Sequence, residues 1–342
     1  MKIYLHGIGL SERFRILNCY DAGESLFSTQ AGPVIPSKKK MLEENLFMQL
    51  RMMLLVFLAP LLYACSDGDD NPSTEEDQAS VLAQMLSAPH TPANETLILS
   101  LLRNELGSDP FYLIRYRELR DDLEDTQVLL DEYDQVLEEK LLSVGAYLAF
   151  DNSVLQQVTN PDGLLWHEVS GIYFPSPQAL LDVLQDSGYQ KVLEKEHIAT
   201  LRLRAFWVKP LIVRQPVDLQ PDRDEFYMAN LNQYRERALY PDGTDHGLTG
   251  EEADMLYTDR MLAEVLPSIN AYPVLAAEYS YLLLGSDPDW TSFALVRYPS
   301  LPEFLSMITS PLFQELVVNK NAGLARTAAM MTSPQIMPLL SE

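Results

Sequence analysis

The sequence predicts an α+β protein in which one supersecondary unit occurs twice, and two observations support this fold class. First, residues 174–210 align without a gap with residues 298–334, at a constant offset of 124 residues. Second, both halves of the chain show the same order of strand-like and helix-like segments. Identical aligned residues include Pro175/Pro299, Ser176/Ser300, Gln190/Gln314, Arg202/Arg326 and Pro210/Pro334. A repeat at a fixed spacing marks two copies of one structural unit.

The first unit is expected over residues 93–210 and begins with a short lead-in helix. Aromatic and β-branched runs predict its strands, and apolar residues at helical spacing predict its helices. The expected order is strand 111–116, helix 126–142, strands 146–150 and 164–174, helix 177–201 with a break at Ser187-Gly188, and strand 202–208. This β-α-β-β-α-β order is that of the ferredoxin-like unit.

The second unit is expected over residues 225–335 and repeats this order. Its segments are strand 226–231, helix 251–266, strands 271–284 and 293–298, helix 302–324 with a break at Ser310-Pro311, and strand 326–331. Residues 211–224 contain Pro216 and Pro221 and are expected to form the linker. A single unit would expose the apolar face of its sheet, and pairing with the second unit would bury it.

Several motifs of the second unit resemble the domain-of-unknown-function family 1330. The matching segments are 230–231, 234–240, 250–253, 257, 298–300, 307–311 and 313–314. The resemblance covers residues 224–334 well and residues 109–210 loosely, because the first unit lacks the Asn-Leu pair and the Arg-x-x-Ala-x-Tyr stretch. That family belongs to the dimeric α+β-barrel superfamily, in which two ferredoxin-like units pair their sheets. Tandem units therefore imply an intramolecular α+β barrel and a monomeric pseudo-dimer.

The segment 48–65 resembles the signal and lipobox of bacterial lipoproteins. A short basic start precedes an apolar run that ends in Leu62-Tyr63-Ala64-Cys65. The run is shorter than the roughly 20 residues of a membrane span, but it suits the apolar core of a signal peptide. The resemblance implies that residues 48–64 are removed and that Cys65 is lipidated. Because Ser66 follows the cysteine, it also implies an outer-membrane lipoprotein that faces the periplasm.

Two further segments flank this signal. Residues 1–47 show no coherent pattern, and we expect a start codon assigned too early, with a genuine cytoplasmic extension as the alternative. Residues 65–92 begin with a polar, acidic run without apolar periodicity. Such a composition predicts a flexible tether between the membrane and the folded domain, since it cannot bury enough apolar surface to become ordered.

The composition excludes several classes of site and partner. The net charge of −24 repels phosphate backbones, so nucleic acid is excluded as a partner. The two cysteines are Cys19 and Cys65. Removal of residues 1–64 would leave one of them, so no intramolecular disulfide is expected. The histidines beyond residue 64 share no short ligand spacing, and no metal site is predicted.

Arg297 is the first candidate ligand-binding residue. On the strand 293–298 it shares a face with Phe293 and Leu295, and it is therefore expected to be at least partly buried. A buried guanidinium needs a carboxylate or an anionic ligand. Glu278 on the neighbouring strand is the expected partner. An internal Arg–Glu pair and the recognition of an anion both remain open.

The family resemblance contributes a second group of candidates, Asn230, Tyr234, Arg235 and Tyr257, near one end of the second unit. Arg235 could hold a small carboxylate in bidentate fashion. It could equally lie on a solvated turn. Tyr257 matches Tyr133 of the first unit at the repeat offset, and a matched aromatic residue on a helix is also typical of a core position.

The superfamily resemblance raises haem chemistry, which some relatives carry out with an asparagine, a tryptophan and a histidine. Here Asn230 and Trp290 fall in the second unit, whereas Trp166 and His197 fall in the first. No single unit contains the complete set. We therefore assign no cofactor.

Two functions from different classes remain. The first is a lipid-anchored envelope protein that binds a small molecule or docks to an envelope partner through its barrel. The second is a cofactor-free enzyme of the monooxygenase or isomerase type found among superfamily relatives. An enzyme would need a general base, for which His197 and His167 are the candidates. The catalytic residues otherwise stay unassigned.

Overall fold

The computed structural model describes residues 74–214, 224–286 and 290–336. The predicted upstream extension, the signal peptide and the lipidation site Cys65 lie outside these residues. All elements named below belong to the unit Glu75–Glu342. Within the described ranges, no helix combines the length and the apolar character needed to cross a membrane.

The described residues form helices on both units and eight strands. The helices are α1 (Glu75–Leu86), α2 (Glu95–Leu102), α3 (Thr126–Ser143), α4 (Pro177–Gln185), α5 (Ser187–Ala199), α6 (Gly250–Arg260), α7 (Leu266–Ser268), α8 (Leu301–Ile308) and α9 (Pro311–Gly323). The strands are β1 (Phe111–Leu119), β2 (Tyr147–Thr159), β3 (Glu168–Phe174), β4 (Thr200–Val213), β5 (Phe226–Tyr234), β6 (Tyr272–Leu284), β7 (Ser292–Tyr298) and β8 (Leu324–Ile336). A π-helical turn, Met261–Val265, joins α6 to α7.

The eight strands close into a barrel in the order β1-β3-β2-β8-β5-β7-β6-β4. Strands β1 to β4 form the sheet of the first unit, and strands β5 to β8 form that of the second. All neighbouring strands are antiparallel, and the units meet at two seams, β2 with β8 and β4 with β6. The predicted tandem ferredoxin-like units forming an intramolecular α+β barrel are therefore confirmed.

Alternation along the strands divides the apolar core into two layers. Phe111 and Leu113 face the helices, whereas Tyr112, Ile114 and Tyr116 face the barrel lumen. Aromatic and aliphatic side chains of both units fill the lumen. Across it, the stacked rings of Phe150 and Phe293 have centroids 6.3 Å apart. A binding site is therefore better sought where the outer face of each sheet meets its helices.

The predicted tether 65–92 is wrong over residues 75–86. These residues form α1, whose buried residues Ala79, Leu82, Ala83 and Leu86 lie at helical spacing. They join the core on the helix side of the first unit together with Leu97 and Ile98 of α2. The acidic run continues into the first turn of α1, where acidic residues are favourable. The composition of the segment therefore resembles that of a tether, although a short apolar stripe follows.

The predicted linker 211–224 also begins as regular structure. Strand β4 continues to Val213, because its last residues pair with β6 as far as Leu275. The seam between the units thus includes residues 211–213, which the sequence assigned to the linker because of the prolines further along that segment.

Candidate functional site

The strand registers match the two units residue by residue. Phe111 pairs with Phe174 in the first unit, as Phe226 pairs with Tyr298 in the second. Helices α5 and α9 correspond at the repeat offset over their whole length. The equivalent pairs on the helix-facing side are Arg115/Asn230, Arg117/Asn232, Glu168/Ser292, Tyr133/Tyr257 and Glu196/Lys320.

Buried ion pairs fill the space between sheet and helices in the first unit. Arg115 forms an ion pair with Glu196, and both side chains are almost fully buried. Arg117 contacts Asp134 at 2.8 Å and Glu168 at 3.2 Å. Its guanidinium also lies 5.7 Å from the centre of the Tyr133 ring. Opposite charges that are paired in this way offset the cost of each other's burial and leave little room for a ligand.

The second unit has lost this network by substitution. Asn230 and Asn232 replace the two arginines, Ser292 replaces Glu168, and Lys320 replaces Glu196. The two asparagines form hydrogen bonds within the sheet. Asn230 Nδ2 donates to the carbonyl of Met228 at 3.2 Å, and Asn232 Oδ1 accepts from Thr327 Oγ1 at 2.9 Å. Shorter side chains thus occupy the positions from which the arginines span the first unit.

The outer sheet face of the second unit remains partly exposed to solvent. Residues of β5, β7 and β8 form this floor, namely Asn230, Ser292, Ala294, Thr327 and Ala329. Of their first-unit equivalents, Arg115, Ser170, Leu203 and Ala205 are buried, and Glu168 is partly buried. Helices α6 and α9 contact β8 beside this floor. The space between sheet and helices is therefore more accessible in the second unit than in the first.

Ionisable side chains line the helix side of this space. Asp254 of α6 is buried and is in hydrogen-bonding contact with Tyr234 and Thr258. Lys320 of α9 lies with its Nζ 5.4 Å from the centre of the Tyr257 ring. Burial raises the pKa of Asp254, and Lys320 opposes that rise. Burial lowers the pKa of Lys320, and Asp254 opposes that fall. We call the floor together with Tyr234, Asp254, Tyr257 and Lys320 the second-unit site.

A pair of glycines brings the helix ends together at one edge of this site. The Gly250 amide donates to the carbonyl of Arg235 at 3.1 Å, and the Arg235 amide donates to that of Gly323 at 2.8 Å. A Cβ atom at Gly250 would overlap the carbonyl oxygens of both Arg235 and Gly323. The first unit has Thr126 and Ala199 at the equivalent positions. The start of α6 and the end of α9 therefore approach more closely than side chains would permit.

Three of the residues taken from the family resemblance lie together. Asn230, Tyr234 and Tyr257 all belong to the second-unit site. Arg235 contributes its backbone to the glycine junction, and its Nε is buried without a hydrogen-bond partner among the described residues. Tyr234 contacts Asp254 and Tyr257 contacts Lys320, while Asn230 lies on the floor of the same space.

Arg297 is buried in the barrel, but it does not pair with Glu278, so the predicted pairing is wrong. The guanidinium donates to Glu225 from Nη2 at 2.7 Å and from Nε at 3.1 Å, and Nη1 donates to the Asn270 carbonyl at 3.1 Å. Glu278 is exposed and pairs with Ser292 at the opposite end of β7. Arg297 therefore takes part in an internal Arg–Glu ion pair, which is one of the two alternatives that the sequence left open.

The histidine and tryptophan candidates lie away from the second-unit site. His197 is on α5 of the first unit, where burial lowers its pKa. His167 Nδ1 accepts a hydrogen bond from the Leu119 amide at 2.9 Å. Trp166 and Trp290 belong to the lumen core, whereas Asn230 is on the outer face of its sheet. The structure brings together neither the predicted general bases nor the residues that suggested haem.

Asp254 and Lys320 are the site residues that sequence reasoning missed. A signal was present, because the repeat alignment pairs Lys320 with Glu196 and Asp254 with Leu130. A reversed charge and a new carboxylate on corresponding helix faces mark a site that differs between otherwise similar units.

Comparisons with known proteins identify no family for this chain. No protein-family model matches it, and no curated protein does. Among solved structures, a protein of unknown function from Rhodopseudomonas palustris is 28% identical, covering 35% of this chain and 85% of that chain with a TM-score of 0.30. A candidate monooxygenase from Fusobacterium nucleatum is 10% identical, covering 69% and 97% with a TM-score of 0.44. A dye-decolorizing protein from V. cholerae is 10% identical, covering 67% and 94% with a TM-score of 0.40.

Proposed function

We propose that the second unit binds a small organic molecule with an anionic group in the second-unit site. The observation that carries this proposal is the replacement of the Arg115–Glu196 pair by Asn230 and Lys320 above an accessible floor. Ligand sites combine apolar walls with a few placed polar groups, and this space offers alanines, amides, hydroxyls and an ammonium. Lys320 is the group that would attract the anion, since the asparagines opposite carry no charge.

The first unit supplies the design of the test. The double variant N230R/K320E writes the Arg115–Glu196 pair into the second unit. We use pyruvate and benzoate as probes, and measure their binding to the full chain by isothermal titration calorimetry. The expected result is saturable binding to the unchanged chain and a loss of more than about tenfold in the variant, because a charge-assisted contact and its space are both removed.

Two controls accompany this measurement. Tyr133→Phe alters the closed first unit and is expected to leave probe binding unchanged, whereas Tyr257→Phe alters the second-unit site. Circular dichroism confirms that each variant is folded. Equal probe affinity in the unchanged chain and in folded N230R/K320E would contradict the proposal.

A second candidate function is cofactor-free acid–base catalysis in the same site. It is favoured by the burial of an acid and an amine in one space, since burial raises the pKa of Asp254, lowers that of Lys320 and so brings the two groups closer to proton exchange with a bound molecule. Exchange of the pyruvate methyl protons for deuterium, followed by NMR, is the assay. Catalysis by the full chain that is lost in D254N supports the enzyme, and exchange at the uncatalysed rate contradicts it.

We also propose that the chain is a lipoprotein and that its second unit is a member of the family 1330. Both proposals rest on the sequence: the Leu-Tyr-Ala-Cys motif ending at Cys65, and the segments 230–231 and 234–240. Lipidation would place the binding unit at the outer membrane on its periplasmic side. The variant Cys65→Ala, expressed in a bacterium, is expected to accumulate as an unprocessed precursor on a gel. Normal processing of that variant would contradict the lipoprotein proposal.

A further inference from the structure

Lys320 differs from the other lysines of the described residues. Lys140 pairs with Asp186 at 3.0 Å, and Lys195 pairs with Glu132. The remaining two, Lys191 and Lys209, are exposed. Lys320 is partly buried under the helices and has no ion pair within the described ranges. A lysine enclosed without a bound counter-ion is unusual, because an ammonium group loses its hydration on burial.

The residues around Lys320 match the needs of an amine nucleophile. Lys320 Nζ lies 5.4 Å from the centre of the Tyr257 ring, and the floor residues of the same sheet–helix space are partly exposed. Asp254 is the carboxyl whose charge acts on Lys320, and Tyr234 and Thr258 hold that carboxyl in place. Desolvation activates lysines for attack on carbonyl carbon, because it enlarges the fraction of unprotonated amine, the reacting form that is in equilibrium with the anion-attracting ammonium.

We propose that Lys320 forms an imine with an aldehyde or ketone bound in the second-unit site. The inference rests on the proposed binding function and specifies the chemical class of the ligand. Its geometric basis is the partly buried amine over the Tyr257 ring, in the same sheet–helix space as the buried Asp254 carboxyl and the partly exposed floor residues.

The step balances without an oxidant or a reductant. Lys320 Nζ adds its electron pair to the carbonyl carbon, and a proton moves from nitrogen to oxygen to give a carbinolamine. The carboxyl of Asp254 then protonates the hydroxyl group, which departs as water as the carbon–oxygen bond breaks. The product is an iminium ion that pairs with the Asp254 carboxylate. Hydrolysis by the reverse steps releases the ligand.

Reductive trapping tests this inference directly. The full chain is incubated with pyruvate and cyanoborohydride, which adds hydride to an imine and leaves a stable secondary amine. Peptide mass spectrometry then reports the labelling of each lysine. We expect Lys320 to be labelled at least several-fold above the exposed Lys191 and Lys209, because burial lowers its pKa and so raises the fraction of neutral amine. Acetate, which has the carboxylate but no reactive carbonyl, is expected to compete without being trapped.

Two variants separate the site from general reactivity. K320R retains the charge but cannot form an imine, and its labelling at this peptide is expected to be lost. N230R retains Lys320 but fills the floor, and its Lys320 labelling is expected to fall to the level of Lys191. Labelling that is uniform over all lysines would overturn the inference. If pyruvate binds saturably and Lys320 stays unlabelled, the inference fails while the proposed binding function stands; if pyruvate neither binds nor labels, both fail.

Discussion

At the scale of single residues, the two units differ in the ionisable side chains that occupy the space between sheet and helices. The sheet–helix space of the first unit is closed by Arg115, Arg117 and their carboxylate partners, whose mutual contacts offset the cost of leaving water. In the second unit, Asp254 and Lys320 are placed in the corresponding space without a close ion pair between them in the described structure. Burial of these ionisable groups costs stability, and a functional site is the usual reason for retaining such groups.

The pH dependence of stability should reveal this cost at Asp254. Burial raises its folded-state pKa above the usual 3.8, so the folded protein holds the proton more tightly than the unfolded chain does. Wild-type stability therefore falls as pH rises through the interval above 3.8. The variant D254N lacks this titration, and we expect its stability relative to wild type to increase over that interval and to level off above the folded-state pKa. Urea unfolding at a series of pH values measures the difference.

The exposed residue Asp259, on the same helix, provides the control. D259N removes an exposed carboxylate from the same helix, and its stability profile over the same pH range is the reference for that of D254N. If D254N and D259N give parallel profiles, the raised pKa of Asp254 is refuted.

The ion pair between Arg297 and Glu225 permits a second prediction at this scale. Both side chains are 6% exposed, so loss of one partner leaves the other buried without a counter-charge. We expect E225Q to lower the free energy of unfolding by about 3–5 kcal/mol, measured by urea denaturation. R297M/E225L, which removes both charges, should recover most of that loss. A double variant as unstable as the single one would show that the pair acts through its shape instead.

At the scale of helices and strands, local sequence patterns predicted the boundaries of an element well where those boundaries depend on nearby residues. The breaks at Ser187-Gly188 and Ser310-Pro311 divide the last two helices of both units. Strand β2 instead runs nine residues beyond its predicted end at Phe150, because residues 151–159 are ordered by pairing with β8. That seam joins residues about 180 positions apart, and no local pattern contains it.

The candidate site was predictable only in part for the same reason. Asn230, Tyr234 and Tyr257 came from a family resemblance in the sequence. Asp254 and Lys320 lie on separate helices, and their meeting depends on how α6 and α9 cross. Glu278 was chosen as a partner because it is on the strand next to Arg297, but the register places it at the far end. Neighbouring strands can be inferred from topology, whereas register within them depends on side-chain packing along the whole sheet.

The glycine junction gives a prediction for this crossing of helices. G250A would force the start of α6 away from Arg235 and Gly323, and we expect a loss of about 1–3 kcal/mol in the free energy of unfolding. The matched control is A199G at the equivalent position of Gly323 in the first unit, where no glycine contact exists to be disturbed. Chemical denaturation compares the two. A G250A chain as stable as wild type would mean that the helix ends can separate freely.

At the scale of the whole molecule, the barrel makes the two units depend on each other. At both seams an edge strand of one sheet pairs with an edge strand of the other, so neither sheet has an unpaired edge in the closed barrel. Asn152 of β2 donates to Thr332 of β8 at 2.9 Å inside one seam. Asp162, between β2 and β3, binds both Arg204 of the first unit and Arg326 of the second. Separation of the units would expose the lumen core of both.

The barrel should therefore unfold as one cooperative body, even though it contains two repeats. The tryptophans allow this to be tested, because Trp166 and Trp207 belong to the first unit and Trp290 to the second. In W290F, fluorescence reports the first unit, and in W166F/W207F it reports the second. Within each variant, we expect the fluorescence midpoint in urea to coincide with that of the far-ultraviolet circular dichroism, which reports the whole chain. Ultracentrifugation confirms that the comparison is made on monomers. If one unit lost its fluorescence signal at lower urea while much of the dichroism persisted, the units would be independently stable, and the shared lumen would contribute less than its burial implies.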